Sequence, residues 1–288
     1  MNIGKAIKDL RKALGLSQTH LARDICSQAQ LSKIENFNEI PSAVILYKLS
    51  KKLGVDMNYF FEFVDTPRLD YIKDVQALIE ECKRDRNYQR LRDIIHNERR
   101  NPLFQSTERQ QYLMWHEAIC FHYLDKNTEK AIEKLEASLN LTTNLEEELY
   151  AEQEIEILNS IAIIKKDQKK YEEAEKIFQK CLEVLKYKPR YNILIKIRIL
   201  YGMSKLLTDR GKYEESIHYC LEGIKTCKKM EVLYLFGELQ YQLGSNFARM
   251  RKIQKAKDTF NNAIKIFEVQ DNVGFVQLVE KSKKKLLP

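Results

Sequence analysis

Four residues near the start of one short predicted helix carry side chains that can read the edges of DNA bases. They are Gln28, Ala29, Ser32 and Lys33, and helical spacing places them on one face. A glutamine amide can make two hydrogen bonds to adenine, a lysine can donate to guanine, and an alanine methyl can contact the methyl group of thymine. Each residue alone would suit an ordinary solvated helix face. Together they favour a helix that enters the major groove.

The elements that would position these side chains are two short helices joined by a tight turn. Ser17 and Ser27 are favourable N-cap residues for them, and Gly15 ends the helix before them. Pro41-Ser42 opens a fourth helix, and a fifth surrounds Tyr59-Phe60-Phe61. Five helices in about sixty residues form a compact small domain. The apolar positions expected in its core are Ile3, Ile7, Leu10, Leu14, Leu21, Ala22, Ile25, Leu31, Ile34, Leu46, Leu49 and Leu53.

A series of motifs runs through this region in a fixed order: Leu10-Arg11, Gly15-Leu16-Ser17-Gln18, Leu21-Ala22, Leu31-Ser32-Lys33-Ile34-Glu35, Pro41-Ser42 and Leu46. The series resembles the phage-repressor (Xre-type) helix-turn-helix family over residues 3 to 62. The resemblance implies that the four residues above face base edges, and that Gln18, Arg11 and Asn36 contact phosphates. The family usually has a glycine after Asn36, where this chain has Phe37 and Asn38. We therefore expect Asn36 or Asn38 to adopt the left-handed conformation.

The composition predicts an almost entirely helical, all-α protein. Only nine glycines and five prolines occur in 288 residues, against 49 lysines and arginines and 41 aspartates and glutamates. Few helix breakers and many helix formers favour helices. The formal net charge of +8 favours an anionic partner such as nucleic acid, although many basic proteins bind none. No apolar stretch has the length of a signal peptide or a membrane span, which favours a cytoplasmic protein without membrane contact.

The cysteines and histidines form no metal or disulfide pattern. The six cysteines are scattered without a Cys-x-x-Cys pair, so we expect reduced thiols and no zinc site. Cys220 and Cys227 would share one helix face, where packed thiols are expected and a redox switch is the alternative. The five histidines are dispersed, and no nucleophile–base pair or glycine-rich phosphate loop is visible. We expect no metal, no cofactor and no enzymatic activity.

A domain boundary is expected near residue 65. Asp65-Thr66-Pro67 is a helix-start signal, with a capping side chain and a proline at the first helical position. A linker helix is therefore expected to begin near Arg68. We predict a DNA-binding domain at 1–64, a linker helix region at 65–76 and a repeat domain at 77–288.

Beyond the linker, a pattern of helical pairs recurs. Its period indicates stacked hairpins, each of which buries its apolar face against its neighbours. The second helix of each pair is predicted to open at Tyr88, Thr128, Tyr171, Tyr213 and Ile253, which lie 40, 43, 42 and 40 residues apart. Apolar or small residues follow three positions later, at Leu91, Ala131, Ala174, Ser216 and Ala256, and seven positions later, at Ile95, Leu135, Phe178, Cys220 and Phe260.

The side chains resemble the tetratricopeptide consensus, although this period exceeds its usual length of about 34 residues and fits HEAT-type arrays better. Matching runs are Leu243-Gly244-x-x-Phe247, Lys170-Tyr171-Glu172-Glu173-Ala174 and Gly211-Lys212-Tyr213-Glu214-Glu215-Ser216. We expect five degenerate repeats in a right-handed solenoid, with a concave groove lined by the first helix of each pair. Amides there can clamp a peptide backbone, tyrosines supply flat apolar area, and cations attract a carboxylate. The predicted groove residues are His116, Asn159, Tyr201 and Tyr241, with Lys83, Tyr123, Lys166, Lys205, Gln242, Ser245 and Arg249 nearby.

Further motifs are Asn159-x-Ile161-Ala162, Tyr213-Glu214-Glu215-Ser216 and Gly237-x-Leu239-x-Tyr241-Gln242-x-Gly244. With the N-terminal domain and the linker helix, they resemble the PlcR-type peptide-pheromone-sensing transcriptional regulators of Gram-positive bacteria. The resemblance implies a homodimer that binds palindromic promoter DNA, an activator role, and a short signalling peptide in the groove. It implies that Asn159 clamps the peptide backbone, and it places Gly202 where a second clamp would lie.

Other functions stay open from the residues alone. A regulator of the same architecture can be gated by a protein partner or by cysteine oxidation instead of a peptide. A structural scaffold, in which the N-terminal domain only packs, is a third class. Retardation of promoter DNA in a gel, compared with random DNA, separates a scaffold from a regulator.

Overall fold

The computed structural model describes residues 3–36, 38–62, 68–142 and 150–287. These residues form sixteen α-helices and one short 3₁₀ helix and no strand, which confirms the predicted all-α fold. The chain divides into two compact units, residues 1–81 and 82–288, and the division falls within one helix. Within the described ranges, no helix combines the length and apolar character needed to cross a membrane.

Within residues 3–62 the first unit contains five short helices, and three of them start at the predicted serines. Ser17, Ser27 and Ser42 each accept a hydrogen bond from the backbone N–H three residues later. Each bond satisfies one of the N–H groups that a helix start leaves without a partner. The helices are α1 (Ile3–Ala13), α2 (Gln18–Ala22), α3 (Gln28–Glu35), α4 (Ala43–Leu53) and α5 (Asn58–Glu62).

Helices α1 and α3 cross closely at Gly4. A Cβ atom at this position would lie 1.9 Å from the carbonyl oxygen of Ile34, so no side chain fits there. This crossing brings the apolar faces of α1, α3 and α4 into one core. The buried side chains of that core are Ile3, Ala6, Ile7, Leu21, Ala22, Leu31, Ile34, Leu46, Leu49, Leu53 and Phe60.

One core prediction for the first unit is wrong, and one of the two alternatives for the end of α3 is excluded. Leu14 lies outside the core with half of its side chain exposed, because α1 ends at Ala13 and the chain turns at the left-handed Gly15. Asn36 closes α3 with a φ of −103° and is not left-handed, because its N–H still bonds to the carbonyl of Ser32 in a right-handed turn. The same expectation for Asn38 stays a prediction, and residue 37 lies outside the described residues.

The rest of the chain is a series of helical pairs. Helix α6 begins at Arg68, as predicted, and continues past the predicted linker region to Arg84. The helix-start signal at residues 65–67 lies outside the described residues. Helix α7 (Tyr88–Glu98) follows α6 (Arg68–Arg84) along the chain. The pairs after it are α8 (Thr107–Tyr123) with α9 (Thr128–Leu139), α10 (Glu152–Asp167) with α11 (Tyr171–Tyr187), α12 (Ile193–Asp209) with α13 (Tyr213–Lys229) and α14 (Phe236–Arg249) with α15 (Ile253–Val269), followed by α16 (Val273–Leu286).

All five second helices begin at the predicted residues, from Tyr88 in α7 to Ile253 in α15. The residues three and seven positions later are almost completely buried in every repeat. They face the first helices on either side, which explains why the apolar pattern recurs with the period of the pairs. The predicted repeats are therefore confirmed.

The first helices form the inner side of the array. Successive first helices contact one another from α8 through α10, α12 and α14 to α16. Within the described residues, successive second helices make no comparable contacts. Successive first helices therefore lie closer together than successive second helices. An array of this kind curves toward the side of the first helices. The first helices therefore line the concave face.

Candidate functional site

Helix α3 presents the predicted base-reading residues on its outer face. Gln28, Ala29 and Lys33 are exposed and Ser32 is half-buried. The opposite face of α3 packs into the core. The exposed face therefore offers an amide, a methyl, a hydroxyl and an ammonium group within two helical turns, which is the set of groups that base edges can bind.

Arg11 lies beneath this face in a buried ion pair. Its Nε and Nη2 donate to the two carboxylate oxygens of Glu35 at 2.6 and 2.8 Å, and its Nη1 donates to the carbonyl of Leu16. Burial raises the pKa of Glu35, but the hydrogen bonds from Arg11 and Gln18 outweigh it and hold this pKa below its usual value. The bond to Glu35 raises the pKa of Arg11. The predicted phosphate contact of Arg11 is thus corrected to a structural role, because its donors point inward.

Gln18 connects this buried pair to the exposed face. Its Nε2 donates to Glu35 at 2.8 Å, and its Oε1 accepts from Nε2 of Gln28 at 2.7 Å. The chain of bonds fixes the orientation of the Gln28 amide. Asn36 is exposed and accepts a hydrogen bond from Lys8 at 3.2 Å. The phosphate contacts of Gln18 and Asn36 stay predictions.

The central row of the groove is defined by His116, Asn159, Tyr201 and Tyr241, one residue from each of four first helices. Tyr201 and Tyr241 are half-buried, and the Tyr241 hydroxyl lies 2.9 Å from Oγ of Ser282. Asn159 is only 1% exposed, and its Oδ1 has no hydrogen-bond partner among the residues that the structure describes. Because buried polar atoms are almost always paired, this oxygen is an acceptor that a bound N–H can satisfy.

His116 does not line an open surface, contrary to the prediction. Its side chain is completely buried, with Nδ1 2.7 Å from the carbonyl oxygen of Tyr112. The imidazole centroid is 4.2 Å from the ring centroids of both Tyr112 and Trp115. Aromatic packing therefore places His116 in the interior at this end of the row.

Two further groove expectations are corrected by packing. Gln242 is buried and donates to Oγ1 of Thr208 at 2.6 Å, so its amide belongs to the contact between α12 and α14. A Cβ at Gly202 would lie 2.8 Å from the ring of Phe178. Position 202 thus faces α11 and not the groove, which excludes it as a clamp position. Ser245 is also buried.

The predicted cationic residues near the row already have contacts within the fold. Lys166 forms ion pairs with Asp167 at 2.8 Å and Asp209 at 3.4 Å. Nζ of Lys205 lies 5.6 Å from the ring centroid of Tyr201. Burial and the neighbouring Lys166 lower the pKa of Lys205. These lysines therefore form one partly desolvated charged cluster on α10 and α12.

The remaining predicted residues lie toward the ends of the row. Nζ of Lys83 is 4.7 Å from the ring centroid of Trp115. Tyr123 stacks on Tyr88 with a centroid distance of 4.5 Å. The guanidinium of Arg249 is 6.0 Å from the ring centroid of Tyr213. Their contacts with a ligand stay predictions.

A second row of groove residues was missed by the sequence analysis. The residues three positions before each member of the central row lie one helical turn earlier on the same face. One is apolar and three are charged: Leu113, Glu156, Arg198 and Glu238. Arg198 forms an ion pair with Glu156, and its Nε donates to the Tyr234 hydroxyl at 2.7 Å. We call these four residues the charged row. The signal was present in the sequence as a constant offset from the central row.

Arg86 was also missed. It lies in the turn between α6 and α7, and its positive charge lowers the pKa values of Tyr123, Tyr201 and Glu238, although burial raises each of them more. These side chains belong to α8, α12 and α14. Arg86 therefore faces the same space as both rows, although it is not on a first helix.

Five of the six cysteines are buried, and Cys26 is half-buried. Burial raises the pKa of Cys120, Cys181 and Cys220 to about 12 and that of Cys227 to about 11. Such thiols are protonated at neutral pH and react slowly with oxidants. Among the described residues, no group of three histidine, cysteine or acidic side chains is placed to hold a metal ion.

Two cavities lie elsewhere on the second unit. One of about 250 Å³ lies between α7 and α8, with Arg92, Glu117 and Asp125 among its lining residues. The other, of about 570 Å³, lies beside α11 and is lined in part by Tyr150 and Lys180. Neither is lined by a residue of the central row or the charged row.

Comparison with known structures shows the same fold over the full chain. Bacillus thuringiensis PlcR, solved in complex with the peptide PapR7 and DNA, has a TM-score of 0.85 at 23% identity, covering 96% of this chain and 98% of that chain. PlcR in its apo form has a TM-score of 0.68 at 21% identity, with 97% and 98% covered. ComR from S. thermophilus, solved with DNA and its signalling peptide ComS, has a TM-score of 0.70 at 14% identity, with 99% of each chain covered.

Family comparisons agree with this fold. No curated protein matches the chain in sequence. Residues 7–60 match the helix-turn-helix family, and residues 76–288 match the RNPP family C-terminal domain. The second match spans most of the chain, and the family consists of non-enzymatic regulators. This chain therefore belongs to the RNPP family of transcriptional regulators.

Proposed function

We propose that this regulator binds palindromic promoter DNA as a homodimer in the cytoplasm, and that a short signalling peptide in the groove controls this binding. The base-reading face of α3 supports the DNA contact. A single small reader makes few base contacts, so two readers on one dimer give the usual specificity. PlcR and ComR, which share the fold, have both been solved with DNA and a peptide. We further propose that the regulator activates transcription.

The observation that carries the peptide proposal is the carbonyl oxygen of Asn159. It is buried, it lacks a hydrogen-bond partner within the described ranges, and it lies in the middle of the central row. A buried acceptor without a partner costs about 1–3 kcal/mol. A backbone N–H of an extended peptide would remove that cost. Peptide binding would therefore be favoured by the hydrogen bond that Asn159 lacks in the free protein.

Ligand control requires that the peptide prefer one state of the dimer. A ligand shifts an equilibrium only as far as its affinities for the two states differ. The curved array of first helices offers such a difference, because a peptide that touches several first helices favours one curvature. The DNA affinity then depends on the peptide.

The test is a DNA-binding titration with the full-length protein. Duplexes that the protein retains are first selected from random DNA, and heptapeptides that it retains are selected from a randomised library. We expect a selected peptide to raise the affinity for the selected duplex at constant salt. A peptide that binds but leaves DNA affinity unchanged contradicts ligand control.

Matched variants locate the effect. Asn159→Ala is expected to lose the response to peptide while it keeps the DNA binding measured without peptide. Asn261→Ala is the control, because Asn261 is exposed on a second helix and accepts one hydrogen bond from Lys283. An equal response in Asn159→Ala and the parent contradicts a role for the Asn159 amide.

The cysteine-oxidation alternative is not supported by the packing of the thiols. The protein-partner alternative uses the same groove with a larger ligand. It predicts retention of a protein but of no peptide from the library.

A further inference from the structure

The charged row ends at Glu238, an acidic residue with one carboxylate oxygen to which no described residue donates a hydrogen bond. Along this row, Glu156 on α10 is followed by Arg198 on α12 and then by Glu238 on α14. The alternating signs would allow a continuous ladder of ion pairs across three first helices. Glu156 and Arg198 form the ion pair at its start.

Arg198 is engaged by Glu156 and Tyr234. Its Nη1 pairs with Oε1 of Glu156, and its Nε donates to the Tyr234 hydroxyl. Its guanidinium also lies over the ring of Tyr234 at 5.5 Å. These contacts hold Arg198 toward α10 and the segment before α14.

Glu238 is half-buried, and one of its carboxylate oxygens is an unsatisfied acceptor. Its Oε2 is inaccessible to solvent and has no hydrogen-bond partner among the described residues. Burial raises the pKa of Glu238, with opposing effects from a backbone hydrogen bond and from the charge of Arg86. A solvent-inaccessible carboxylate oxygen without a partner is costly, and a cation with N–H donors removes most of that cost. A cationic donor on a ligand would therefore satisfy this oxygen.

Its surroundings place this oxygen in the groove. Glu238 precedes Tyr241 of the central row by one turn on α14. Its negative charge acts on the hydroxyl of Tyr201, the member of the central row on α12. Its neighbour Gly237 packs against Phe267 of α15 instead. The carboxylate and the central row thus face one space.

We propose that Glu238 binds a cationic group of the ligand, so that the groove selects a peptide with a lysine or arginine side chain or a free amino terminus at this point. This inference rests on the proposed peptide control and adds the charge class of the ligand. The ammonium or guanidinium group donates to Oε2 of Glu238, while Asn159 holds the peptide backbone.

The experiment is affinity selection from a randomised heptapeptide library, with one half of the library acetylated at the amino terminus. Full-length parent protein and Glu238→Gln are compared, and retained peptides are sequenced by mass spectrometry. In the parent we expect peptides with lysine or arginine at one position, or with a free amino terminus, to be enriched about tenfold or more. Enrichment confined to the non-acetylated half identifies the amino terminus as the bound group.

Glu238→Gln keeps the shape and removes the charge, so it is expected to retain peptides without this enrichment. Glu215→Gln, on an exposed second-helix site, is the control and should select as the parent does. A second measurement needs no variant: replacing the selected lysine by norleucine should weaken binding to the parent about tenfold.

The outcomes separate this inference from the proposed function. Retention of no peptide by the parent overturns peptide control and this inference together. Retention of peptides without cationic enrichment, or with the same enrichment in Glu238→Gln, overturns the role of Glu238 alone.

Discussion

The hydroxyl of Thr208 donates to Oδ1 of Asn246 at 2.7 Å and thereby ties α12 to α14 inside the solenoid. Nδ2 of Asn246 donates to Oγ of Ser216 at 2.7 Å, and Ser216 donates to the carbonyl of Ser204. Gln242 completes the network by its bond to Thr208. Every one of these side chains is buried. The network therefore holds together the two helices that carry Tyr201 and Glu238.

Replacing Asn246 by alanine should loosen this contact. The change removes two buried hydrogen bonds and leaves a small cavity, which we expect to cost about 2–3 kcal/mol. Hydrogen exchange in α12 and α14 of the full-length protein would measure the loss. The control Asn261→Ala should leave these helices unchanged. A double-mutant cycle with Thr208→Val should give a coupling of about 0.5–3 kcal/mol, and a coupling of zero would show that the two side chains act independently.

The ion pair between Arg11 and Glu35 should be a main determinant of stability in the first unit. Glu35→Gln leaves the buried guanidinium without its counter-charge, and breaking such a pair costs about 3–5 kcal/mol. Hydrogen exchange in α1 and α3 is the measurement. Lys8→Ala removes an exposed bond to Asn36 and a minor charge effect on Glu35, and it should cost less than about 1 kcal/mol. Similar losses in both variants would contradict this role.

The same carboxylate predicts a pH dependence. The pKa of Glu35 is lower in the folded chain than the value of about 4.3 for a free glutamate. Its stabilising contribution is therefore complete above about pH 4.3 and is lost as the pH falls through the lower folded pKa. Below about pH 4.3 we expect the amides of α1 and α3 in the parent to lose protection, which is the intrinsic exchange rate at the same pH divided by the observed rate. Glu35→Gln should show a flatter pH profile, and parallel profiles would exclude Glu35 as the titrating group.

The turns before the five second helices share a left-handed residue, and only one of these five residues is a glycine. Two positions before each second helix, the backbone is left-handed: φ is positive at Arg86, Lys126, Lys169, Gly211 and Arg251. Only Gly211 has the residue type that favours this conformation. Lys169→Gly should therefore stabilise the second unit by up to about 1 kcal/mol, and Gly211→Ala should destabilise it by about 1 kcal/mol. Chemical denaturation of both variants measures these shifts, and shifts of the same sign would contradict the argument.

These turns also show what a sequence can and cannot predict. Helix starts such as Tyr171 and Tyr213 were predicted correctly because buried residues recur at fixed offsets and each repeat faces the same environment. The left-handed Lys169 gave no signal, because lysine rarely adopts this conformation and here follows the geometry of the repeat.

The sequence predicted which helix face carries the candidate site. It did not predict the partners of the individual side chains on that face. Spacing identified the central row, but it could not distinguish Asn159, whose oxygen is unpaired in the described part of the chain, from His116, which packs between aromatic rings. That difference depends on neighbouring helices that are distant in sequence. Arg11 was assigned to phosphate for the same reason, since its partner Glu35 lies on another helix. Glu238 could have been identified from the sequence, because it lies one helical turn before Tyr241 once the first helices of the repeats are aligned.

The DNA-binding face gives the last prediction. Lys33→Ala and Gln28→Ala should each cost about 1–3 kcal/mol of discrimination at one base pair of a half-site, because each removes a side chain that can bind a base edge. Duplexes selected from random DNA by the parent are compared with single-base variants at constant salt. Lys5→Ala serves as the control, since Lys5 is exposed on α1 and should leave the base preferences unchanged. A loss of equal size for every sequence would make Lys33 a phosphate contact.

Gln18→Ala should lower discrimination at the same base pair as Gln28→Ala, because Gln18 holds the Gln28 amide in place. If Gln18→Ala instead weakens all sequences equally, its side chain serves the phosphate backbone and the orientation of Gln28 does not depend on it.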